Sequence, residues 1–410
     1  MLIAYLTGEY PRATDTFIQR EVATLRQQGA EVHTFSVRAT GEEHMVGKEQ
    51  KQERNQTFYI LPPQPIKLLQ AHLNLFLSSP KRYLAALKLA WSTRIYGLRG
   101  NLYQLFYFLE AGILAQEIRR RRIPHLHNHF GDSSCSVAML AAELGGFSYS
   151  FTLHGPYIFF QPYHWRLDEK INRANFVSCI SNYCRSQGMI FAPIDKWNQM
   201  HIVHCGIDPS LFKVASHHGE GKRLLYVGRL STVKGLPILL ESLVTLKQKY
   251  PDIILTVVGD GGDRTFLEQM TAYLGLSNNV NFVGYKSQAE VRKYFEETDV
   301  FVLSSFAEGV PVVLMEAMAA GVPVVAPQIA GVSELVENGI SGYIVPAGDK
   351  IALAQSIEKL LNNCELRAKF GIAGRNKVEK EFNINIEAQK LYQVMSKTIN
   401  NEQLSINNKQ

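Results

Sequence analysis

The 410-residue chain is longer than one compact core usually holds, so two domains are expected. With 46% hydrophobic and 20% charged residues it has a globular composition, and no apolar run approaches the roughly 18 residues that span a bilayer. The formal charge of +6 lies wholly in the first half: residues 1–208 hold 22 Lys and Arg against 16 Asp and Glu, and the remainder holds 21 of each. Five scattered cysteines without C-x-x-C spacing imply reduced thiols in the cytoplasm.

The start, "MLIAYLTGEYP", reads as a buried strand and loop and not as a secretory leader. "TFIQREVATLRQQG" has helical spacing, with Asp15 as N-cap and Gly29 as stop. "AEVHTFSVR" returns as a strand. Residues 66–122 read as two or three helices closed by the run Arg119–Arg122. Residues 51–100 carry eight basic residues and one acid, interleaved with large aliphatics. That pattern implies an anionic partner, a membrane surface through residues 51–122. Nucleic acid is disfavoured, because no motif for it is present. The alternative is a solvated face on core helices.

Strand–helix alternation continues through "HLHNHF", "YSFTLHG" and "FVSCISNYC", pauses at "KVASHHGEGK", and restarts at "RLLYVGRL". The expected fold is α/β: two Rossmann-like doubly wound domains facing a cleft. The expected limits are 1–208 for an N-terminal domain, 209–222 for a linker and 223–385 for a C-terminal domain. Residues 386–410 are expected to form a helix returning to the first domain, ending in a polar, frayed tail.

The pentapeptide GVPVV occurs twice, at Gly309–Val313 and Gly321–Val325. The first copy precedes "VLMEAMAA", so Pro311 falls in the first turn of a helix. The amides near Gly309, Val310 and Val312 then point out of the helix end and attract anions. The second copy follows the helix stop at Gly321 and reads as a buried strand. Glu308 lies just before the helix and Glu316 about one and a half turns inside it, so they can line a ligand at two points. The alternative reading is a solvated Glu316 and a Glu308 that merely favours the helix end. His127 and His129 alternate on one strand face. They suit a metal by ligand type, but no third ligand is placed, and no metal is expected.

E-x7-E with Gly-x-Pro after the first Glu resembles the signature of the retaining glycosyltransferase family 4, which has the GT-B fold. "YVGRLSTVKG" at 226–235, "GVSELVENGISGYIVPAGD" at 331–349 and "VHCGIDPSLF" resemble further motifs of that family, in order. "YLTGEYPRATDTFIQREVATLRQQGAEV" and "HNHFGDSSCSVAMLAAELGGFSYSFTLHGP" resemble its colanic-acid and exopolysaccharide branch. The resemblance implies transfer of a sugar from a UDP- or GDP-sugar to a glycan or lipid-linked acceptor. Arg229 and Lys234 would clamp the diphosphate, Glu316 would hold the ribose, and Glu308 would bind the transferred sugar. The amide end at Gly309, Val310, Pro311 and Val312 would meet the phosphates, and Tyr285 in "VGYK" would lie near the base. His154 would serve the reacting sugar or the acceptor. Gly8, Asp15, Thr16 and His129 would lie on the acceptor side. There the sequence departs from the pattern, with one glycine in "TGEYP" and Asp before Thr-Phe. No D-x-D is present and "GDGGDRTF" lacks G-x-G-x-x-G, so the resemblance implies neither metal nor other cofactor. Competing readings are an epimerase or phosphorylase on the same architecture, and a non-catalytic sugar-nucleotide scaffold. The expected location is cytoplasmic, at the inner face of the membrane.

Overall fold

The computed structural model describes residues 1–45, 47–215 and 221–407. Of the linker expected at 209–222, residues 216–220 lie outside the described residues, as do the last three of the tail. The chain forms two compact units, Met1–His204 with Glu387–Gln410, and Cys205–Ile386.

The first unit holds a seven-stranded parallel sheet. Its strands are β1 (Leu2–Glu9), β2 (Glu31–Arg38), β3 (Phe58–Tyr59), β4 (His125–His129), β5 (Ser148–Leu153), β6 (Val177–Cys179) and β7 (Met200–Ile202), in the order β3-β2-β1-β4-β5-β6-β7. The second unit holds a six-stranded parallel sheet of β8 (Arg223–Val227), β9 (Ile254–Val258), β10 (Val280–Gly284), β11 (Val300–Val302), β12 (Val324–Pro327) and β13 (Gly342–Val345), ordered β10-β9-β8-β11-β12-β13. Parallel strands need crossover helices, which cover both sheet faces and select short apolar strands. β11 and β12 are such strands, buried throughout.

β4 breaks that rule. Its sequence is HLHNH, yet all five residues are buried. The β4–β5 register sets His125 opposite Ser148 and His127 opposite Ser150. His125 therefore meets Ser148 Oγ at 2.8 Å and Ser150 Oγ at 2.7 Å. His127 meets Ser150 Oγ at 2.8 Å and Thr152 Oγ1 at 2.9 Å. Phe176 stacks across both imidazoles. A buried polar group is tolerated when its hydrogen bonds are made, and this ladder makes them.

The ladder gives the unit an acid sensitivity. Burial moves His125 down to about 3. Burial, and then neighbouring histidines, hold His127 and His154 well below the ordinary 6.5. These side chains stay neutral when folded but take up protons when unfolded below about 6.5. The unfolded state thus binds more protons as pH falls. The stability is complete above about pH 6.5 and is lost progressively as the pH falls, amounting to roughly 2 kcal/mol for His125 at pH 5. Calorimetry at stepped pH should show the first unit's midpoint falling by at least about 4–8 °C between pH 7.5 and 5.

The last helix, Ile384–Asn407, buries Ala388, Leu391, Met395 and Ile399 in one cluster with Ile3, Val22 and Phe176. Each large apolar side chain so buried contributes about 1.5–3 kcal/mol. The helix runs on through residues 400–407, where the polar sequence predicts a frayed tail, because its apolar stripe upstream docks and carries the helix forward. Three helices occupy the region where two or three are expected: Pro65–Ser78, Pro80–Ser92 and Leu98–Arg120. No helix among the described residues is long and apolar enough to cross a membrane.

Candidate functional site

In the second sheet the strand order reverses between β8 and β11. Exit loops part at such a switch point and leave room for a ligand. Arg229 and Lys234 lie on the loop after β8, and Glu308 on the loop after β11. The loops are tied together: Phe306 N–H donates to Val233 O at 2.8 Å, and Ser304 Oγ–H donates to Lys234 O at 3.1 Å. Gly235 sits at φ 61°, and a Cβ there would come within 2.1 Å of Ser304 O. Only glycine suits both the angle and the space. Lys234 Nζ lies 2.6 Å from Glu308 Oε1, with the side chains 22% and 12% exposed. Arg229 is exposed on the same loop.

The glycines of "GDGGD" also act by closeness. A Cβ on Gly259 would lie 1.9 Å from Gly228 O. Leu230 N–H donates to Asp260 O at 2.9 Å, so the β9 exit backs the Arg229–Lys234 loop. The helix Val312–Ala319 follows Glu308. Pro311 is its N-cap residue, one position ahead of the first turn where the sequence predicts it. Its side chain has no oxygen to cap the helix, and the residue holds an extended ψ of 119°. The amides of Gly309, Val310 and Val312 donate to no backbone carbonyl among the described residues, so this end can receive an anion. Glu316 is half-buried on that helix. Tyr285 is 54% exposed after β10, two strands away from β8. Arg229, Lys234, Glu308, Gly309–Val312 and Glu316 thus share the carboxyl edge of one sheet.

The first sheet reverses between β1 and β4. His129 ends β4 and His154 follows β5. Their rings meet, His129 Nδ1 lying 3.0 Å from His154 Nε2. His129 Nε2 lies 3.0 Å from Glu21 Oε1, and Tyr5 OH donates to the same oxygen at 2.7 Å. Glu21 comes from the helix Thr16–Gln27. An ionised carboxylate only accepts, so His129 carries its proton on Nε2. When His129 is neutral, its Nδ1 accepts from His154 Nε2–H. Phe17 and Phe130 wall His154, with ring centroids at 5.0 and 4.8 Å. Phe130 holds φ 72°, a strained conformation for such a residue. Asn128 Nδ2 donates to its carbonyl at 2.7 Å. Lys170, fully buried and moved down to about 8 by burial, donates to Gly131 O and Asp132 O at 2.9 and 2.7 Å and fixes the same loop.

Gly8 lies within β1, and Thr16 opens the helix that brings Glu21. Asp15 stands at the N-cap position, yet its side chain caps nothing. It accepts instead from Thr14 Oγ1 at 3.1 Å and lies 3.7 Å from Arg12. The sequence places no third ligand beside His127 and His129, but the fold does. Ligand atoms of Glu21, His127 and His129 lie within 4.8 Å of one another. Those side chains also make the hydrogen bonds given above. Glu21 and Tyr5 are the site residues that sequence reasoning missed.

Residues 15–211 match the family model "Glycosyltransferase Family 4", and residues 208–377 match "Glycosyl transferases group 1". The chain belongs to the glycosyltransferases. It is 35% identical over 207 residues to the amylovoran biosynthesis glycosyltransferase AmsK of Erwinia amylovora, covering 48% of this chain and 51% of that protein. It is 36% identical over 183 residues to the putative colanic acid biosynthesis glycosyltransferase WcaL of Escherichia coli, covering 42% and 45%. These matches span about half the length of the curated relatives. Among solved structures, Anabaena HepE in complex with UDP superposes with a TM-score of 0.73 at 18% identity, over 97% of this chain and all of that one. Sucrose-phosphate synthase of Thermosynechococcus elongatus gives 0.74 at 19%, over 97% and 98%. At that identity the likeness is one of fold, that of two Rossmann-like α/β domains, the GT-B architecture.

Proposed function

We propose that the chain is a retaining hexosyltransferase of polysaccharide biosynthesis. It moves a sugar from a UDP- or GDP-sugar to a glycan or lipid-linked acceptor at the cytoplasmic face of the membrane. The observation that carries this reading is the Lys234–Glu308 pair at the β8/β11 switch point, beside unpaired helix-end amides. A leaving diphosphate gains negative charge as its bond to the sugar breaks. Fixed cations and aimed amides stabilise that charge. Lys234, Arg229 and the end of the Val312–Ala319 helix supply it, and no step is assigned to a metal or other cofactor. Glu308 binds the sugar and stabilises its oxocarbenium character, while Glu316 holds the ribose and Tyr285 neighbours the base. The acceptor oxygen attacks the face the diphosphate leaves, and its proton passes to a departing phosphate oxygen. His154, beside His129 and Glu21, hydrogen-bonds the sugar or the acceptor, with Gly8, Asp15 and Thr16 on that side. The exopolysaccharide relatives support the class of acceptor.

The test is transfer from a panel of nucleotide-sugars to a lipid-linked saccharide, with the product's anomeric configuration read by NMR. Retained configuration is expected. An inverted product, or epimerised donor without transfer, would sink this reading.

A further inference from the structure

Each helix of the Pro65–Ser78, Pro80–Ser92 and Leu98–Arg120 set has two apolar stripes. In the first, Ala71, His72 and Leu75 are buried, while Ile66, Leu69, Leu73 and Leu77 are exposed on the opposite side. The exposed set repeats at intervals of three and four, which is one continuous helical face. In the second, Ala86, Leu89 and Ala90 are buried and Leu84, Leu87 and Trp91 are exposed at the same spacing. In the third, Gly100, Gln104 and Phe108 turn inward while Leu98, Leu102 and Phe106 turn outward. Among the described residues, fifteen of the thirty-two exposed large apolar side chains fall between Ile66 and Phe106. Scattered apolar residues are ordinary on a surface, but a concentration of this kind marks an interaction face.

The charge on these helices says what covers it. Residues 54–109 contain no Asp or Glu. Lys67, Lys81, Arg82, Lys88 and Arg99 lie on these helices and Arg94 on the connection before the third, and none forms an ion pair among the described residues. Arg94 lies over the Trp91 ring at 3.8 Å and over Tyr96 at 5.5 Å. Trp91 and Tyr96 are 62% and 88% exposed. Aromatic rings beside cations, next to aliphatic stripes, match the headgroup–acyl boundary of a bilayer. A second copy of the same face would bring like charges together. A nucleic acid would neutralise the cations but leave the leucines in water.

We propose that this three-helix face docks on a membrane containing anionic lipid, seating the exposed leucines in the acyl boundary and the cations at the headgroups. The docking is independent of which sugar is transferred and of the assignment of the catalytic groups. The test is co-sedimentation of the full chain with vesicles of phosphatidylglycerol and phosphatidylcholine, and with phosphatidylcholine alone, at 50 and 500 mM salt. The comparison is the triple variant Leu69→Asp/Trp91→Asp/Leu102→Asp, whose positions are exposed and whose fold is checked by circular dichroism. The chain should pellet with the mixed vesicles at low salt. Binding should fall at least ten-fold in the triple variant, and it should weaken at high salt and on neutral vesicles. Three results overturn the proposal: no pelleting with the mixed vesicles, equal pelleting of the folded variant, or a wild-type dimer that the variant dissociates without any vesicle binding.

Discussion

Lys234→Ala should lower kcat/KM by about 10²–10³-fold, equivalent to roughly 3–4 kcal/mol of transition-state stabilisation. Its cost to the fold should be small. The Lys234–Glu308 pair is partly exposed, and pairs of that kind contribute about 0–1 kcal/mol. The loop that carries Lys234 is held by backbone bonds from Leu230 and Phe306, not by the ammonium group. The substitution removes the cation and leaves Glu308 unbalanced beside a diphosphate that is gaining charge. Lys234→Arg should keep charge but not the compact ammonium geometry, so it should recover activity only in part. Steady-state kinetics with a fixed donor, alongside thermal unfolding, checks both halves. A variant that loses activity only by unfolding would remove Lys234 from the site.

Glu21→Gln should reduce kcat/KM by roughly 10-fold to 100-fold, the range typical of an outer partner that orients a functional histidine. The substitution is nearly isosteric, but an amide can donate as well as accept. The proton on His129 Nε2 then loses its fixed acceptor, and the order passed to His154 is lost with it. His154→Ala should cost more, about 10²-fold or above. A structural role alone would leave the tautomers unchanged. Nitrogen-15 NMR of the histidines should therefore show His154 as a single tautomer in the wild type and as a mixture in Glu21→Gln. Wild-type kinetics with an unchanged tautomer would contradict the relay.

The two sites differ in how far the sequence exposes them. In the second unit the charged residues stand on short loops between strong apolar strands, and Gly235, Gly259 and Pro311 punctuate them, so place and chemistry are read together. The helix start at Pro311 is off by one position because proline fixes φ for either assignment. In the first unit Glu21 sits inside a helix next to Arg20, where a carboxylate resembles any solvated residue. Its partner His129 is 108 residues away. One signal was available: the alternation His125, His127, His129 has a counterpart in Ser148, Ser150, Thr152, and parallel pairing brings the two rows together. The double stripes of the Pro65–Ser92 region were hidden for another reason. A helix that is apolar on two sides looks buried, and only the packed neighbours decide which side is covered.

The measurement that bears most directly on the account is donor-product binding. Thermal unfolding of the wild type and Lys234→Ala would be followed against UDP, GDP, ADP and the corresponding nucleoside monophosphates. A ligand that binds only the folded state raises the midpoint by mass action. The account predicts a rise with one nucleoside diphosphate, a smaller rise with its monophosphate, and loss of the difference in Lys234→Ala. No rise with any diphosphate, or an equal rise in both proteins, would contradict a diphosphate site at the β8/β11 switch point.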